Sequence, residues 1–395
     1  MPGSLIADIV VLVLLIGYLV NGIRNGLVRS LAGILGVAAG GLAAVLLIPF
    51  VAAWVPDPNL RTIATLAAVV ALVVIGHSLG AFLGGLLYRR VRRTALRVPD
   101  RALGGILTTI VAALVVSMIA SSIVSLGIPF VSQAVASSTI VRTINALTPD
   151  PVQAFLAKIR SSTVDTSLPR IAEAFGAHPR QEDIPSVNTG TAALVAASRS
   201  VVKITGNAYA CGQSQSGSGF VVSHDRVVTN AHVVAGVAQP LVEVRGQGAV
   251  QGTIVYFDPV GDIAVIAVKD LPAPALRLGA SLAEGDKAVA DGYPFGGPFV
   301  TLPAGVATVG TISVPDIYGT SSHPREVYSL AADIEEGDSG GPLLHTDGSV
   351  GGLVFAKSAT TKNVGYAITM KSLEPVAKSA PTLTAAVSSG RCTKG

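Results

Sequence analysis

Charge is scarce in this chain. Of its 395 residues only 13% are Asp, Glu, Lys or Arg, against 50% hydrophobic, and the mean hydropathy is +0.60. Low charge with high hydrophobicity excludes a disordered chain. It also excludes a wholly soluble globule, where about a quarter of residues carry charge. Acidic residues are rarest in the first third, where residues 1–130 hold Asp8, Asp57 and Asp100 against nine arginines. That third carries +6 and the remainder −2, so the formal +4 is a local excess. No nucleic-acid partner is implied. Cysteine is nearly missing, with only Cys211 and Cys392. No metal and no cofactor is expected. Two or more domains are, because the length exceeds one ordinary domain.

Long apolar runs fill the space that charge leaves. A bilayer span needs about 20 mostly apolar residues. Leu5–Val20, Leu27–Val51, Thr62–Tyr88 and Ala102–Ile128 each approach or exceed that length. A signal peptide explains the first alone and leaves three. The segment 89–101, RRVRRTALRVPDR, holds six arginines and belongs on the cytoplasmic side. Counting spans from there places Arg24 and Arg29 inside, both termini outside, and everything after Ile128 outside the cytoplasm. Gly36 and Gly40, like Gly76, Gly80 and Gly84, recur every fourth residue, a row that lets helix backbones approach closely. His77 within a span reads as a proton relay or as a hydrogen bond inside the bundle.

Two short segments in this region, Asn21-Gly-Ile-Arg-Asn-Gly-Leu-Val-Arg and Asp100-Arg-Ala-Leu-Gly-Gly-Ile, resemble the colicin V production protein family. The resemblance implies a four-helix membrane anchor over residues 1–130. Residues 131–190 are expected to be an extracytoplasmic linker with one or two short helices. One of these runs from Pro151 to about Ile159.

From Thr191 the pattern changes to short β-branched runs between turn residues, from Val201–Ile204 through Ile263–Val268 and Thr308–Ser313 to Val364–Ile368. Such spacing predicts a barrel or sandwich. Residues 191–395 suffice for two small barrels. The one helix expected here is Leu373–Ala380.

Reactive residues recur in this part. In Gly337-Asp338-Ser339-Gly340-Gly341-Pro342 the glycines allow a turn that aims the N–H groups of Gly337 and Ser339 at one point. Such a point would hold the oxyanion formed when Ser339 attacks a carbonyl. A hydroxyl needs a base to do so. His232, at the end of the apolar strand in Val228-Thr-Asn-Ala-His-Val-Val, is that candidate, and Asp262, opening Ile263–Val268, is the acid that orients it. Taken singly, each has a bland reading: a glycine-rich surface turn, a satisfied core histidine, a turn cap.

The order His, Asp, Ser joins them. With Ser218-Gly-Phe-Val-Val and Val364-Gly-Tyr-Ala-Ile, the motifs resemble the trypsin/chymotrypsin superfamily, nearest its bacterial HtrA-like branch, over about Ala192–Met370. The resemblance implies two six-stranded barrels with a triad of His232, Asp262 and Ser339 between them. The expected architecture is thus multidomain, a four-span helical membrane module plus an all-β chymotrypsin-like double barrel. The chain departs from the HtrA pattern in having only about 25 residues after Met370, too few for a peptide-binding PDZ module. Asp333 lies where trypsin-like enzymes keep the acid that selects basic substrates. Lys357, near the strand expected to line that pocket, would neutralise it. Cys211 and Cys392, both placed outside, read as a disulfide or as two buried thiols.

The whole order of parts resembles membrane-tethered periplasmic serine proteases of mycobacteria. That implies resistance to acid and oxidative stress by cleavage of cell-wall proteins, a peptidoglycan hydrolase among the candidate substrates. The expected partners are protein or peptide substrates and the lipid bilayer. Two readings compete with a protease. One is a catalytically silent, stress-sensing scaffold with a protease-like binding domain. The other is a transporter or channel, which the few polar residues in the spans disfavour.

Overall fold

A computed structural model describes residues 2–54, 58–91, 94, 96–125, 129–161, 169–171, 183–208 and 213–393. It divides into two compact units, Asp8–Val116 and the remainder.

The helical unit is built from α1 (Pro2–Trp54), α2 (Pro58–Val91) and α3 (Arg97–Ser125). Among the described residues three helical stretches are long and apolar enough to cross a membrane: Gly3–Ala44, Ala67–Tyr88 and Arg97–Val124. The four expected runs fall on these helices, the first two of them within α1. The first two expected runs continue into each other through Gly26, whose φ of 75° and ψ of 170° break the helix. Only glycine adopts that conformation without strain. The break frees the next amides, and Asp100 takes one: its buried Oδ1 accepts the Val28 N–H at 3.1 Å. The two motifs that carry the colicin V resemblance therefore meet. At 42 residues, Gly3–Ala44 measures about 63 Å as helix, roughly twice the hydrocarbon thickness.

The glycine rows pack helix on helix. A Cβ at Gly36 would collide with the Gly76 carbonyl, and one at Gly80 with the Ala32 carbonyl. His77 Nδ1 lies 3.3 Å from the Gly33 carbonyl, a bond within the bundle.

In the other unit, α4 (Pro129–Ala136), α5 (Thr139–Leu147) and α6 (Asp150–Ser161) precede β1 (Arg170–Ile171). Through residue 161 the expected linker is helical and folded onto the β-rich domain. Arg142 of α5 donates to the Gly246 carbonyl at 2.7 Å, and Lys158 of α6 lies 5.9 Å from the Phe295 ring centroid. A short α7 (Ala192–Ala197), capped by Thr191, then leads into the barrels.

β2 (Val201–Ala208), β3 (Gln213–Ser223), β4 (Arg226–Thr229), β5 (Leu241–Val244), β6 (Gly248–Asp258) and β7 (Ile263–Val268) close a barrel in the order β2-β3-β4-β7-β6-β5, with a one-turn α8 (Ala231–Val234) after β4. A second sheet runs β12-β11-β8-β9-β10-β13 through β8 (Lys287–Gly292), β9 (Val300–Pro315), β10 (Ser322–Ala331), β11 (Pro342–His345), β12 (Val350–Ser358) and β13 (Val364–Thr369). Pairing of β12 with β13 closes it as well, and β1 adds to the edge of β12. Helix α9 (Met370–Ser379) follows. One apolar cluster joins the barrels, uniting Phe220, Val228 and Ile263 of the first with Val327, Leu353 and Phe355 of the second. Each such side chain contributes about 1.5–3 kcal/mol on burial, which fixes the seam.

Candidate active site

The first barrel positions the histidine and the acid. Buried Val227 and Val228 carry β4 into the interior, and α8 turns the chain immediately afterwards. His232, 4% exposed, faces Asp262, 3% exposed. Its Nδ1 lies 2.8 Å from Asp262 Oδ2 and 3.0 Å from Oδ1. The His232 amide also donates to Oδ1 at 3.0 Å, and Asn230 Nδ2 donates to the Asp262 carbonyl at 2.8 Å. A ring nitrogen this close to two carboxylate oxygens must carry the proton. In the neutral ring Nε2 is then left as a base; it is buried and has no hydrogen-bond partner among the described residues. Asp262 itself sits at φ 55°, a left-handed conformation held by the preceding turn. In that turn Asp258 Oδ1 accepts the amides of Val260 and Gly261, both at 2.9 Å.

The second barrel positions the serine. Ser339 lies on a turn in which Asp338 N–H donates to the Glu335 carbonyl at 3.1 Å and Gly341 N–H to the Asp338 carbonyl at 2.9 Å. Gly337 has φ 98°, which a side chain would strain. The carbonyl of Glu336 accepts the Phe295 N–H. In a planar trans peptide N–H and C=O point in opposite directions. The amides of Gly337 and Ser339 are thus turned away from carbonyls that are already engaged. Such a pair of donors suits a developing oxyanion. Ser339 Oγ rests 3.5 Å from the Phe355 carbonyl, a weak contact that a rotation about χ1 releases.

Ser218 of β3 brings the two halves together, and sequence reasoning noted it only as part of a motif. Its N–H donates to the Ser339 carbonyl at 2.7 Å, and its hydroxyl donates to the Gly337 carbonyl at 2.7 Å. The same hydroxyl accepts the Tyr293 N–H at 2.9 Å. Next to it, a Cβ on Gly217 would come within 2.6 Å of Val233 and 3.0 Å of the Ser339 carbonyl, so little separates the two elements. The signal in the sequence was a serine flanked by Gly217 and Gly219 just ahead of the apolar run Phe220-Val221-Val222.

The specificity residues fall differently from expectation. Asp333 is exposed, while its neighbour Ile334 turns inward against Gly365. Lys357 pairs with Glu335 at 2.5 Å, not with Asp333. Two buried carboxyls lie beside the serine turn. Burial pushes Asp338 up to about 7, with Glu335 and Asp333 adding to the effect and Lys357 opposing it. Burial likewise pushes Asp291 up to about 7, against the Thr301 hydroxyl and Arg245. Cys211 lies outside the described residues; Cys392 is half-buried next to Gly236, and no described cysteine is free. No cluster of His, Cys, Asp and Glu fit for a metal is found among the described residues.

A buried imidazole–carboxylate pair and a serine on a glycine turn, at the seam of two six-stranded barrels, define the class of trypsin-like serine proteases. Comparison with known proteins agrees. Residues 7–149 match the colicin V production protein family and residues 217–353 the trypsin-like peptidase domain. The serine protease Rv3671c of Mycobacterium tuberculosis is 34% identical over 369 residues, 92% of each chain. A putative serine protease, HhoB, of Synechocystis is 33% identical over 169 residues, 41% of this chain and 39% of its own. The crystal structure of the Rv3671c protease in its active form covers 57% of this chain and all of its own, at 36% identity and a TM-score of 0.53. The chain belongs to the HtrA-related, trypsin-like serine proteases that carry a colicin V production protein-like region.

Proposed function

We propose that the protein is a membrane-anchored, extracytoplasmic endopeptidase in which Ser339 is the nucleophile, His232 its base and Asp262 the acid that orients the base. The observation that carries this reading is the bond from His232 Nδ1 to Asp262 at 2.8 Å, with Nε2 buried and open. Nε2 takes the Ser339 proton as Oγ attacks the peptide carbonyl, and Asp262 stabilises the imidazolium that forms. The amides of Gly337 and Ser339 receive the oxyanion. His232 then returns the proton to the leaving amine, and water releases the acyl-enzyme by the same path.

Labelling intact cells with an impermeant fluorophosphonate and mapping the modified residue tests nucleophile and compartment together. Modification of Ser339 is expected, and Ser339→Ala should abolish both labelling and peptide cleavage. Cleavage that survives the substitution removes Ser339 from its role and leaves a binding scaffold.

The compartment follows from the arginines of residues 89–101, with α1 crossing twice through Gly26 and four crossings in all. An exposed Asp333 favours a specificity pocket without selection for basic side chains. A Cys211–Cys392 bridge would tie the start of the barrels to the tail, since Cys392 carries no free thiol; a 2 Da gain in intact mass on reduction checks it. A role in acid and oxidative stress through cell-wall proteins, a peptidoglycan hydrolase among them, belongs to the same proposal. Survival of a Ser339→Ala strain in acid and peroxide tests that role.

A further inference from the structure

Arg325 stands where an apolar residue belongs. On β10 it shares a face with Val327, two residues on, which lies in the cluster joining the barrels. Yet it is a guanidinium only 6% exposed. Burying a charge is costly unless partners compensate it, so its surroundings must do so. Its Nη2 donates to the Val260 carbonyl, in the turn that delivers Asp262 at φ 55°. Asp262 and Asp258 are the carboxylates that act on it electrostatically, both favouring its charge. Its Cζ lies 5.6 Å from the centroid of the Phe355 ring, and the Phe355 carbonyl lies 3.5 Å from Ser339 Oγ. Nη1 has no hydrogen-bond partner among the described residues.

We propose that Arg325 is a positioning residue for the triad: from the second barrel it holds the turn carrying Asp262 in the first and, through its stack on Phe355, sets the strand beside Ser339. The inference rests on the triad reading above. Its physical logic is that the acid is set by two elements. Asp258 fixes the turn from within by accepting two amides, and Arg325 fixes it from the opposite barrel by donating to the carbonyl between them. Its cation also lies near Asp262 throughout the cycle, favouring the carboxylate whether or not the imidazole is protonated. A packing residue would instead be apolar, as Val327 is.

The full chain in detergent, turning over a chromogenic p-nitrophenyl ester, provides the test. Arg325→Met should lower kcat about 10–100-fold, the size expected when catalytic groups shift by around an ångström, with KM within about twofold. Arg325→Lys, which keeps a cation and a donor, should recover a substantial part of that loss. Val327→Ala serves as the structural control: it should lower the melting temperature without lowering kcat below the melt. Should Arg325→Met not fold, Arg325→Gln keeps a donor for Val260 without the charge and is expected to lose at least about tenfold in kcat. A folded Met or Gln variant with wild-type kcat overturns the inference, as does a Lys variant no better than Met. Failure of the triad itself reads differently, because Ser339→Ala would then retain turnover.

Discussion

In the first barrel the acid of the reactive pair is bonded by its own neighbourhood: Asp262 accepts the His232 amide and ring N–H, and its carbonyl accepts Asn230. In the second, the serine turn depends on a residue from the other barrel, since Ser218 bonds the carbonyls of both Gly337 and Ser339. It also shelters Asp338, whose Oδ1 has no hydrogen-bond partner among the described residues. The carboxylate of one half is thus bonded within its own barrel, with Arg325 reaching its turn from across the seam, and the other half is conditional on the seam and on protonation. Changes of condition should act on the serine and the oxyanion donors before they act on the histidine.

The largest effect expected comes from breaking the first-barrel half. Asp262→Asn should reduce kcat/KM about 10⁴-fold, because an amide facing Nδ1 favours the wrong tautomer. The melting temperature should change little by comparison. Steady-state kinetics beside a thermal melt measures both, and near-native turnover would remove Asp262 from the triad.

Ser218→Ala strikes the conditional half. It leaves the Gly337 carbonyl and the Tyr293 N–H without their partner, at a cost of about 1–3 kcal/mol in stability. Loosening of the oxyanion donors should lower kcat roughly tenfold or more. Denaturant melts and turnover numbers decide; a variant that loses stability but keeps kcat would make Ser218 a fold residue only.

Asp338→Asn sharpens the contrast through pH. The folded carboxyl titrates at about 7, well above its ordinary 3.8. Between about pH 4 and 7 the folded chain therefore holds a proton that the unfolded chain has lost, and stability falls as pH rises across that window. Asp291 has the same sign. Both groups thus favour the folded protein in acid. An amide at position 338 is neutral throughout and can still accept the Glu335 N–H now bonded to Oδ2 at 2.9 Å. The variant should match the parent near pH 4 and exceed it at pH 8 by on the order of 1–4 kcal/mol. Unfolding curves at both pH values test this, and equal stability at pH 8 would show the carboxylate to be accommodated.

Much of this site was legible in the sequence, because its signals are local: a glycine turn around Ser339, a histidine ending an apolar strand, an aspartate opening another. Strands Val201–Ala208 and Ile263–Val268 were readable from their β-branched runs. Two barrel strands were not. β10 opens with Ser-His-Pro-Arg and carries Glu326, which breaks the apolar pattern, and β11 is four residues hidden behind the glycines at 340 and 341. Ser218 and Arg325 escaped for another reason: their partners lie 119 and 65 residues away, and no local pattern encodes a contact across a seam. In the helical unit, length and hydropathy gave the spans and the segment between the first two, but not that the break is a single residue, Gly26, a glycine among many.

The smallest effect expected concerns Asp333, six residues before the serine, where a trypsin-like specificity acid would stand. Alternation along this segment turns Ile334 into the second barrel and Asp333 outward, so the carboxylate lies in solvent and not at the base of a pocket. A solvated charge is screened over roughly 10 Å at ordinary ionic strength. It should not select lysine or arginine beside the cleaved bond. Asp333→Asn should therefore change the ratio of cleavage after basic and after uncharged residues by less than about twofold, as a mixed peptide library read by mass spectrometry would show. A collapse of cleavage after basic residues would mean that the segment turns over when substrate binds, exchanging Ile334 for Asp333. The conditional character of the second barrel would then extend from the serine turn to the specificity pocket.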